Sequence, residues 1–378
     1  PFALMSVAKP FVFALVVDAV GWRPVAGRVG LDATGRAFNS VEAVERAAGG
    51  RTNPMVNAGA IATTALVPGE DLEARWRTEW QQLDAIAAKP WLIDRLGYRA
   101  YHVIWDPLLR LKFGAYHEHL SAAWVWHRIH RVAKSKGKLG YLEGGTGLLL
   151  DTLAAKLETL GVRLHPSTPV RQITEEHGAV SGLTLEHGGH HACERVVSTV
   201  PLPVLAGLLP QGWTDYAAQL RHIQYIGVVC VLFKLTRRVS PYFWLNVHDS
   251  RVPFNGIIEY TNLNPLGGEH GHLVYVPYYV PTDNPLYTAG DAEIVEQSWR
   301  ALRILNPRLH EADRLGHHVA RTPYAQAICP VGFLNMLPAA RAPLAGLHLL
   351  DSTFLYPEDR TQSGHVTRAW ACAQDIDA

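Results

Sequence analysis

The chain has 378 residues, of which 48% are hydrophobic and 18% are charged, and its formal net charge is +1. This composition excludes an intrinsically disordered protein, which needs low hydrophobicity and high charge. It also argues against a nucleic-acid-binding protein, which usually carries a clear basic excess. At about 150 residues per domain, the length predicts two or three domains.

Cysteine and histidine usage indicates neither a disulfide framework nor a metal site. The four cysteines are far apart and form no C-x-x-C pair: Cys193, Cys230, Cys329 and Cys372. The histidines at 187–191 flank a glycine turn and have no carboxylate or cysteine at ligand spacing. We therefore predict no metal site, and a reducing cytoplasm as the location.

Residues 11–20, FVFALVVDAV, form the most apolar stretch near the start of the chain. A membrane-spanning helix needs roughly 20 apolar residues, and this run is about half as long and contains Asp18. We therefore predict a buried helix and no integral membrane span.

The chain in order predicts helices first and strands later. A Pro-Gly pair at 68–69 is followed by an abrupt rise in charge, which places a domain boundary between segments 1–70 and 71–378. Helices are predicted over much of 72–138 and up to residue 160. Short strands then follow at 162–165, 170 onward, 180–186 and 192–200, and 225–280 is rich in strands. A helix at 290–305, a strand at 347–351 and a final helix from 364 complete a mixed α/β chain of the α+β class.

Ser6 and Lys9 form an S-x-x-K motif at the start of a predicted helix, where a spacing of three puts both side chains on one face. A lysine held beside a serine can remove the hydroxyl proton and activate it as a nucleophile. The alternative is a capped helix with one exposed lysine.

The wider context of this motif resembles the serine-dependent glutaminase family. Three blocks carry the resemblance, in the order of the family: PFALMSVAKPFVFALVVDAVG, RVGLDATGRAFNSV and RTNPMVNAGAIATTALVPG. The resemblance implies a helical, β-lactamase-like fragment over about 1–70, in which Ser6 is the nucleophile, Lys9 activates it and Asn57 contacts the substrate amide. The implied reaction is hydrolysis of L-glutamine to glutamate and ammonia.

From about residue 72 the chain resembles FAD-dependent amine-oxidase-like oxidoreductases, the superfamily of phytoene desaturases and protoporphyrinogen oxidases. The segments that carry this resemblance include GYLEGGTGLLLDTLAAKLETLGVRLHPSTPVRQI and the C-terminal GLHLLDSTFLYPEDRTQSGHVTRAWACAQDI. The resemblance implies FAD as cofactor. It assigns cofactor contacts to the following residues: Val170, Asp351, Gly364, His365 and Val366.

One part of that superfamily pattern is missing from the sequence. The family begins with a strand, a G-x-G-x-x-G turn and a helix that together hold the FAD diphosphate, and this fingerprint occurs nowhere in the chain. The resemblance therefore implies an incomplete FAD-dependent oxidoreductase-like fold, with a helical substrate-domain part and antiparallel strands. A partner supplying the missing dinucleotide-binding half is one expectation.

An aromatic set in the larger part is open to two interpretations: Trp244, Tyr275, Tyr278, Tyr279 and Phe333. These side chains could line a substrate pocket, or they could pack in a core, which is the more common situation for strand aromatics. Asp359 and Arg360 similarly fit either a substrate contact or a loop ion pair.

The sequence leads to three hypotheses about function. The first is an FAD-dependent oxidoreductase acting on a small molecule, and it rests on resemblance over most of the chain. The second is a serine-dependent glutaminase that uses Ser6 and Lys9. The third is an inactive chimera of two truncated proteins.

Overall fold

The computed structural model describes residues 17, 20–26, 29, 80–134, 140–143, 145–266 and 271–377. The predictions on Ser6, Lys9 and Asn57 lie outside these residues. Within them the chain forms both helices and strands, as the mixed α/β prediction expects.

Twelve α-helices are described: α1 (Trp22–Ala26), α2 (Ala88–Leu96), α3 (Tyr98–Ala100), α4 (Asp106–Phe113), α5 (Ala122–Lys134), α6 (Gly145–Thr159), α7 (Leu202–Leu208), α8 (Thr214–His222), α9 (Pro285–Thr288), α10 (Asp291–Leu305), α11 (Phe333–Met336) and α12 (Gln362–Asp377). A π-helical turn, Tyr101–Trp105, joins α3 to α4.

Ten strands are described: β1 (Val170–Glu176), β2 (Ala179–Leu185), β3 (His190–Ala192), β4 (Val196–Ser198), β5 (Tyr225–Leu235), β6 (Trp244–Asn246), β7 (Gly256–Glu259), β8 (His272–Val280), β9 (Arg314–Ala327) and β10 (Leu347–Leu349). They form a three-stranded sheet β1-β2-β3, a two-stranded sheet β10-β4 and a five-stranded sheet β6-β7-β8-β5-β9.

The five-stranded sheet is antiparallel throughout and packs one of its faces on helix α10. Alternate residues of β5, among them Val229, Val231 and Phe233, are fully buried on that face. Helix α10 forms because its apolar residues recur at helical spacing, so that Ile294 and Trp299 face the sheet. This pairing gives the sheet its own hydrophobic core.

A second core joins the helices α2 and α5 to the C-terminal part of the chain. The backbone of Ala88 donates to Leu120, and the backbone of Ala122 donates to Ile86, both at 2.7 Å. A buried hydrogen-bond network crosses the same region, in which the hydroxyl of Tyr356 donates to the Asp84 carboxylate. Residues 83–96 are therefore integral to this larger fold.

Strands β4 and β10 are parallel and pair Val196 with Leu347 and Ser198 with Leu349. The prediction of one strand over 192–200 is wrong, because the chain leaves β2 after residue 192 and then pairs with β10. The predicted strand at 162–165 is also wrong, since this exposed segment has no strand conformation.

Helices α6 and α12 differ from the rest of the fold in the apolar side chains they expose. No residue of α6 is buried, and Leu150 is 59% exposed. In α12, Trp370 and Val366 are each 69% exposed. Isolated exposed apolar residues are normal, whereas contiguous groups of them are typical of contact surfaces.

Candidate functional site

The site begins where the parallel strands β4 and β10 end. The backbone of Leu350, directly after β10, donates to Ser198 at the end of β4 at 2.8 Å. Asp351 follows and caps a short 3-10 turn at Ser352–Leu355, which we call the Asp351 turn. In open α/β sheets ligands bind outside the carboxyl ends of parallel strands, and Asp351 lies at such an end.

Asp351 is 5% exposed, and its carboxylate accepts hydrogen bonds from protein donors. One oxygen accepts from the backbone N–H and the hydroxyl of Thr353, and the other accepts from the Tyr225 hydroxyl at 3.0 Å. Burial, followed by the nearby Asp351 charge, raises the pKa of Tyr225 above its ordinary value. Tyr225 therefore stays a neutral donor that fixes the Asp351 carboxylate.

Helix α12 starts close to the Asp351 turn. The Thr361 hydroxyl accepts from the Gly364 N–H at 3.1 Å, and the His365 ring hydrogen-bonds to the Thr361 carbonyl through Nδ1 at 2.7 Å. A Cβ on Gly364 would lie 2.9 Å from the Thr361 hydroxyl and 3.2 Å from Leu355. A larger residue at position 364 would therefore have to displace the Thr361 and Leu355 side chains.

Val366 and Val170 lie in different surroundings from Asp351. Val366 is exposed on α12, one residue after His365. Val170 starts β1 and pairs with Leu185 in the three-stranded sheet. That sheet reaches the neighbourhood of β10 through a bridge between Ala179 and Ala345. The structure thus places Gly364 against Leu355 of the Asp351 turn, with His365 next to it in the chain, and it places Val170 on a separate sheet.

The loop between the Asp351 turn and α12 is held by two arginines. Arg128 on α5 lies 3.2 Å from Asp359, and its guanidinium stacks 3.4 Å from the centroid of the Trp124 ring. Arg360 donates to the buried side chain of Gln326 at 3.3 Å. Asp359 and Arg360 thus make separate contacts that attach the loop to α5 and β9, besides lying 4.0 Å from each other.

The second face of the five-stranded sheet lies opposite α10, and Lys112 of α4 lies over its Tyr279 ring. This face is formed by side chains that are half-buried except for the exposed Trp244: Val228, Cys230 and Leu232 of β5, Tyr275 and Tyr279 of β8, Ile258 of β7 and Trp244 of β6. Tyr278 instead points into the core with Ser298, and Phe333 is buried against Tyr356. The predicted aromatic set is thus divided between a surface and two cores.

Two features are absent from the described part of the chain. No helix there is long and apolar enough to cross a membrane. No group of three or more potential metal ligands occurs among the same residues.

The N-terminal part of the chain matches known glutaminases by sequence. The glutaminase family model matches residues 1–98. Glutaminase 2 from Yersinia pestis is 48% identical over 99 residues, which are 26% of this chain and 29% of that protein. A glutaminase from Brucella canis is 51% identical over 75 residues, 24% of its length. The chain thus spans less than a third of these curated relatives, and the predicted glutaminase resemblance is confirmed.

The fold of the larger part is similar to solved oxidoreductases. Wild-type putrescine oxidase bound to putrescine superimposes with a TM-score of 0.57 and 15% identity, over 83% of this chain and 72% of that one. An oxidoreductase from Methanosarcina mazei gives a TM-score of 0.55 and 17% identity, over 70% of this chain and 62% of that one. The predicted flavin-oxidoreductase-like fold is confirmed, and part of each neighbour has no counterpart here.

Proposed function

We propose that the larger part of this chain belongs to an FAD-dependent oxidoreductase that acts on a small molecule in the cytoplasm. The observation that carries the proposal is the position of Asp351. A buried carboxylate follows the end of a parallel strand, and the start of α12 lies against the same turn. A helix start presents N–H groups and a positive dipole end, which favour an anionic group such as a diphosphate.

The residues present fit one side of a flavin site. Gly364 and His365 would lie at the diphosphate end, Asp351 would contact the ribityl or diphosphate region, and Val170 would meet the adenine. Because the Asp351 carboxylate is already held by Tyr225 and Thr353, its position is fixed before any ligand arrives. FAD, when bound, supplies the hydride or electron chemistry, and this chain positions the cofactor and excludes water.

A partner chain would supply the missing dinucleotide-binding half. Strands of parallel sheets are normally buried on both faces, yet Val197 in β4 is half-exposed. Exposed apolar residues of α6 and α12 also support a missing neighbour. Residues 83–96 pack within the larger fold, which supports a boundary between segments 1–70 and 71–378.

The visible absorption spectrum of the purified chain, before and after addition of FAD, tests the proposal. A bound-flavin spectrum is expected, either from the chain alone or after the partner is added. Asp351→Asn should weaken FAD binding about tenfold, because a charge-assisted contact is lost. Asp283→Asn removes an exposed carboxylate and is the matched control. An absence of bound flavin under both conditions would overturn the proposal.

A second candidate is a glutaminase, and the match over residues 1–98 favours it. In that reaction Ser6 would attack the side-chain amide of glutamine, Lys9 would take the hydroxyl proton, and Asn57 would contact the substrate. Ammonia release from glutamine is the measurement. Ser6→Ala should abolish the release, and Ser40→Ala is the matched control.

The remaining candidate is an inactive chimera of two truncated proteins. The partial coverage of both sets of relatives supports it. It predicts neither flavin binding nor ammonia release, so a positive result in either assay would exclude it.

A further inference from the structure

We propose that a cavity between strand β10 and the last turn of α12 binds a small organic anion, a carboxylate or a phosphate monoester, through Arg195 and His348. The site is separate from the proposed cofactor contacts and does not depend on them. Arg195 immediately precedes β4 and Gly346 immediately precedes β10, so the cavity lies towards the amino ends of the parallel strands. Asp351 lies beyond the opposite, carboxyl end of β10.

The first observation is the size and lining of the cavity. Its volume is about 350 Å³, and small-molecule sites usually have volumes of roughly 300–1,000 Å³. Charged and polar side chains line it together with apolar residues, among them Ala342, Ala345 and Ile376. A ligand with one polar end and a short apolar body would therefore find contacts for both of its parts.

The second observation is a buried histidine ring that faces the cavity. His348 is only 9% exposed, and its neighbours Leu347 and Leu349 belong to the second core. Because side chains alternate along a strand, the His348 ring points away from that core, and it lines the cavity. Among the residues that the structure describes, none forms a hydrogen bond with this ring. A buried polar group without a partner is destabilising, and a ligand in the cavity would supply the partner.

The third observation is the charge balance of the lining. The Arg341 guanidinium donates to the Asp375 carboxylate and, at 2.7 Å, to the Asp375 carbonyl at the end of α12. These hydrogen bonds hold the pKa of Asp375 below its ordinary value, so that the carboxylate stays charged and its charge is offset by Arg341. Arg195 is exposed, and within the described part of the chain it has no ion-pair partner. The lining therefore keeps one positive charge that a ligand can match.

The two side chains together select an anionic oxygen ligand. A guanidinium pairs with two oxygens of a carboxylate or a phosphate in a bidentate geometry. A neutral imidazole has one donor and one acceptor nitrogen, so the His348 ring can donate to the same group or accept from a ligand hydroxyl. A neutral amide of the same shape would keep the hydrogen bonds but would lose the ion pair with Arg195. The charge of the ligand is therefore the property to test.

Three fluorinated probes with one aromatic body provide this test: 4-fluorobenzoate, 4-fluorophenyl phosphate and 4-fluorobenzamide. Their dissociation constants with the full chain are measured by fluorine NMR. The tighter of the two anions should bind at least about tenfold more tightly than 4-fluorobenzamide, because only the anions pair with Arg195. Which anion binds more tightly identifies the ligand as a carboxylate or a phosphate monoester. Equal affinities for all three probes, or no binding, would overturn the proposal.

Substitutions locate the bound anion. Arg195→Gln should weaken its binding about tenfold, whereas Arg300→Gln, at an exposed arginine of α10, should leave the affinity unchanged. His348→Leu should also weaken binding, while the thermal midpoint stays the same or rises, because an apolar side chain replaces a buried polar group without a partner. A lowered midpoint with unchanged affinity would mean that the ring only supports the fold, which would contradict its assignment to the site.

Added FAD separates this site from the proposed cofactor site. The affinity for the anion should be the same with and without FAD, because the Asp351 turn lies at the other end of the strands. Displacement of the anion by FAD, or a loss of anion affinity in Asp351→Asn, would place the anion at that turn and overturn the proposal. Selective anion binding by a chain that shows no flavin spectrum would support the proposal and contradict only the proposed function.

Discussion

The five-stranded sheet and the two-stranded sheet of this molecule differ in the elements that bury them. Helix α10 buries one face of the larger sheet, where Trp299 is only 2% exposed. Strands β4 and β10 instead form an isolated parallel pair among the described residues, and neighbouring helix α12 exposes Trp370. The larger sheet has its own core, whereas β10 is buried in the second core and the exposed apolar side chains lie on β4 and α12.

An antiparallel sheet with one face on a helix forms a local core, whereas parallel strands are normally covered on both faces. The five-stranded sheet is buried by α10, which lies in the same part of the chain. The parallel pair of β4 and β10, which leads to the Asp351 turn, is buried by the core that also contains residues of α2 and α5.

The largest expected effect comes from making the same substitution in both regions. Trp299→Ala removes a buried ring that packs 5.8 Å from Phe233, and it should lower the free energy of unfolding by about 3–5 kcal/mol. Trp370→Ala should change it by less than about 0.5 kcal/mol, because the ring is mostly in water. Urea unfolding followed by circular dichroism measures both values.

A large decrease in the free energy of unfolding with Trp370→Ala would contradict this comparison, because it would mean that α12 is covered in solution.

An intermediate effect is expected in the network that attaches residue 84 to the C-terminal loop. The Tyr356 hydroxyl donates to Asp84 and lies 2.6 Å from the Ser121 hydroxyl, in a buried environment. Tyr356→Phe should cost about 1–3 kcal/mol, because two buried polar groups lose a partner. Tyr242→Phe, at an exposed tyrosine, should be neutral. Equal effects in a thermal unfolding experiment would show that the network does not stabilise the fold.

The sequence predicts elements whose pattern is local. Helix α10 was predicted at 290–305 from its periodicity and is found at Asp291–Leu305. Strand β4 was missed as a separate element because its pairing with β10 joins segments far apart in the chain. The segment 162–165 shows the converse, since an alternating apolar pattern forms no strand when no neighbouring strand pairs with it.

The same distinction applies to the site. The resemblance assigns Asp351 to the cofactor site, and the sequence predicts a strand at 347–351 that ends on this residue. The strand found is Leu347–Leu349, so that Asp351 lies two residues beyond its end. Its partner Tyr225 lies 126 residues earlier in the chain, and no local signal marks it. The division of the aromatic set also depends on strand register, which places Tyr278 and Tyr279 on opposite faces.

The smallest expected effect is a pH-dependent change in stability at Asp313, next to the five-stranded sheet. Hydrogen bonds from the Thr236 hydroxyl and the His310 N–H, together with the Arg237 guanidinium, lower the pKa of Asp313 to about 2. A carboxyl group with a lowered pKa in the folded state stabilises the protein above its ordinary pKa of 3.8, and this contribution is lost as the pH falls towards 2. Asp313→Asn should therefore lower the thermal midpoint at pH 6, and the difference from the unmodified chain should shrink between about pH 4 and 2. Asp283→Asn controls for the removal of one negative charge. A difference that is constant over this range would contradict the assignment, because the Asp313 charge would then contribute nothing to the attachment of β9 to the end of β5.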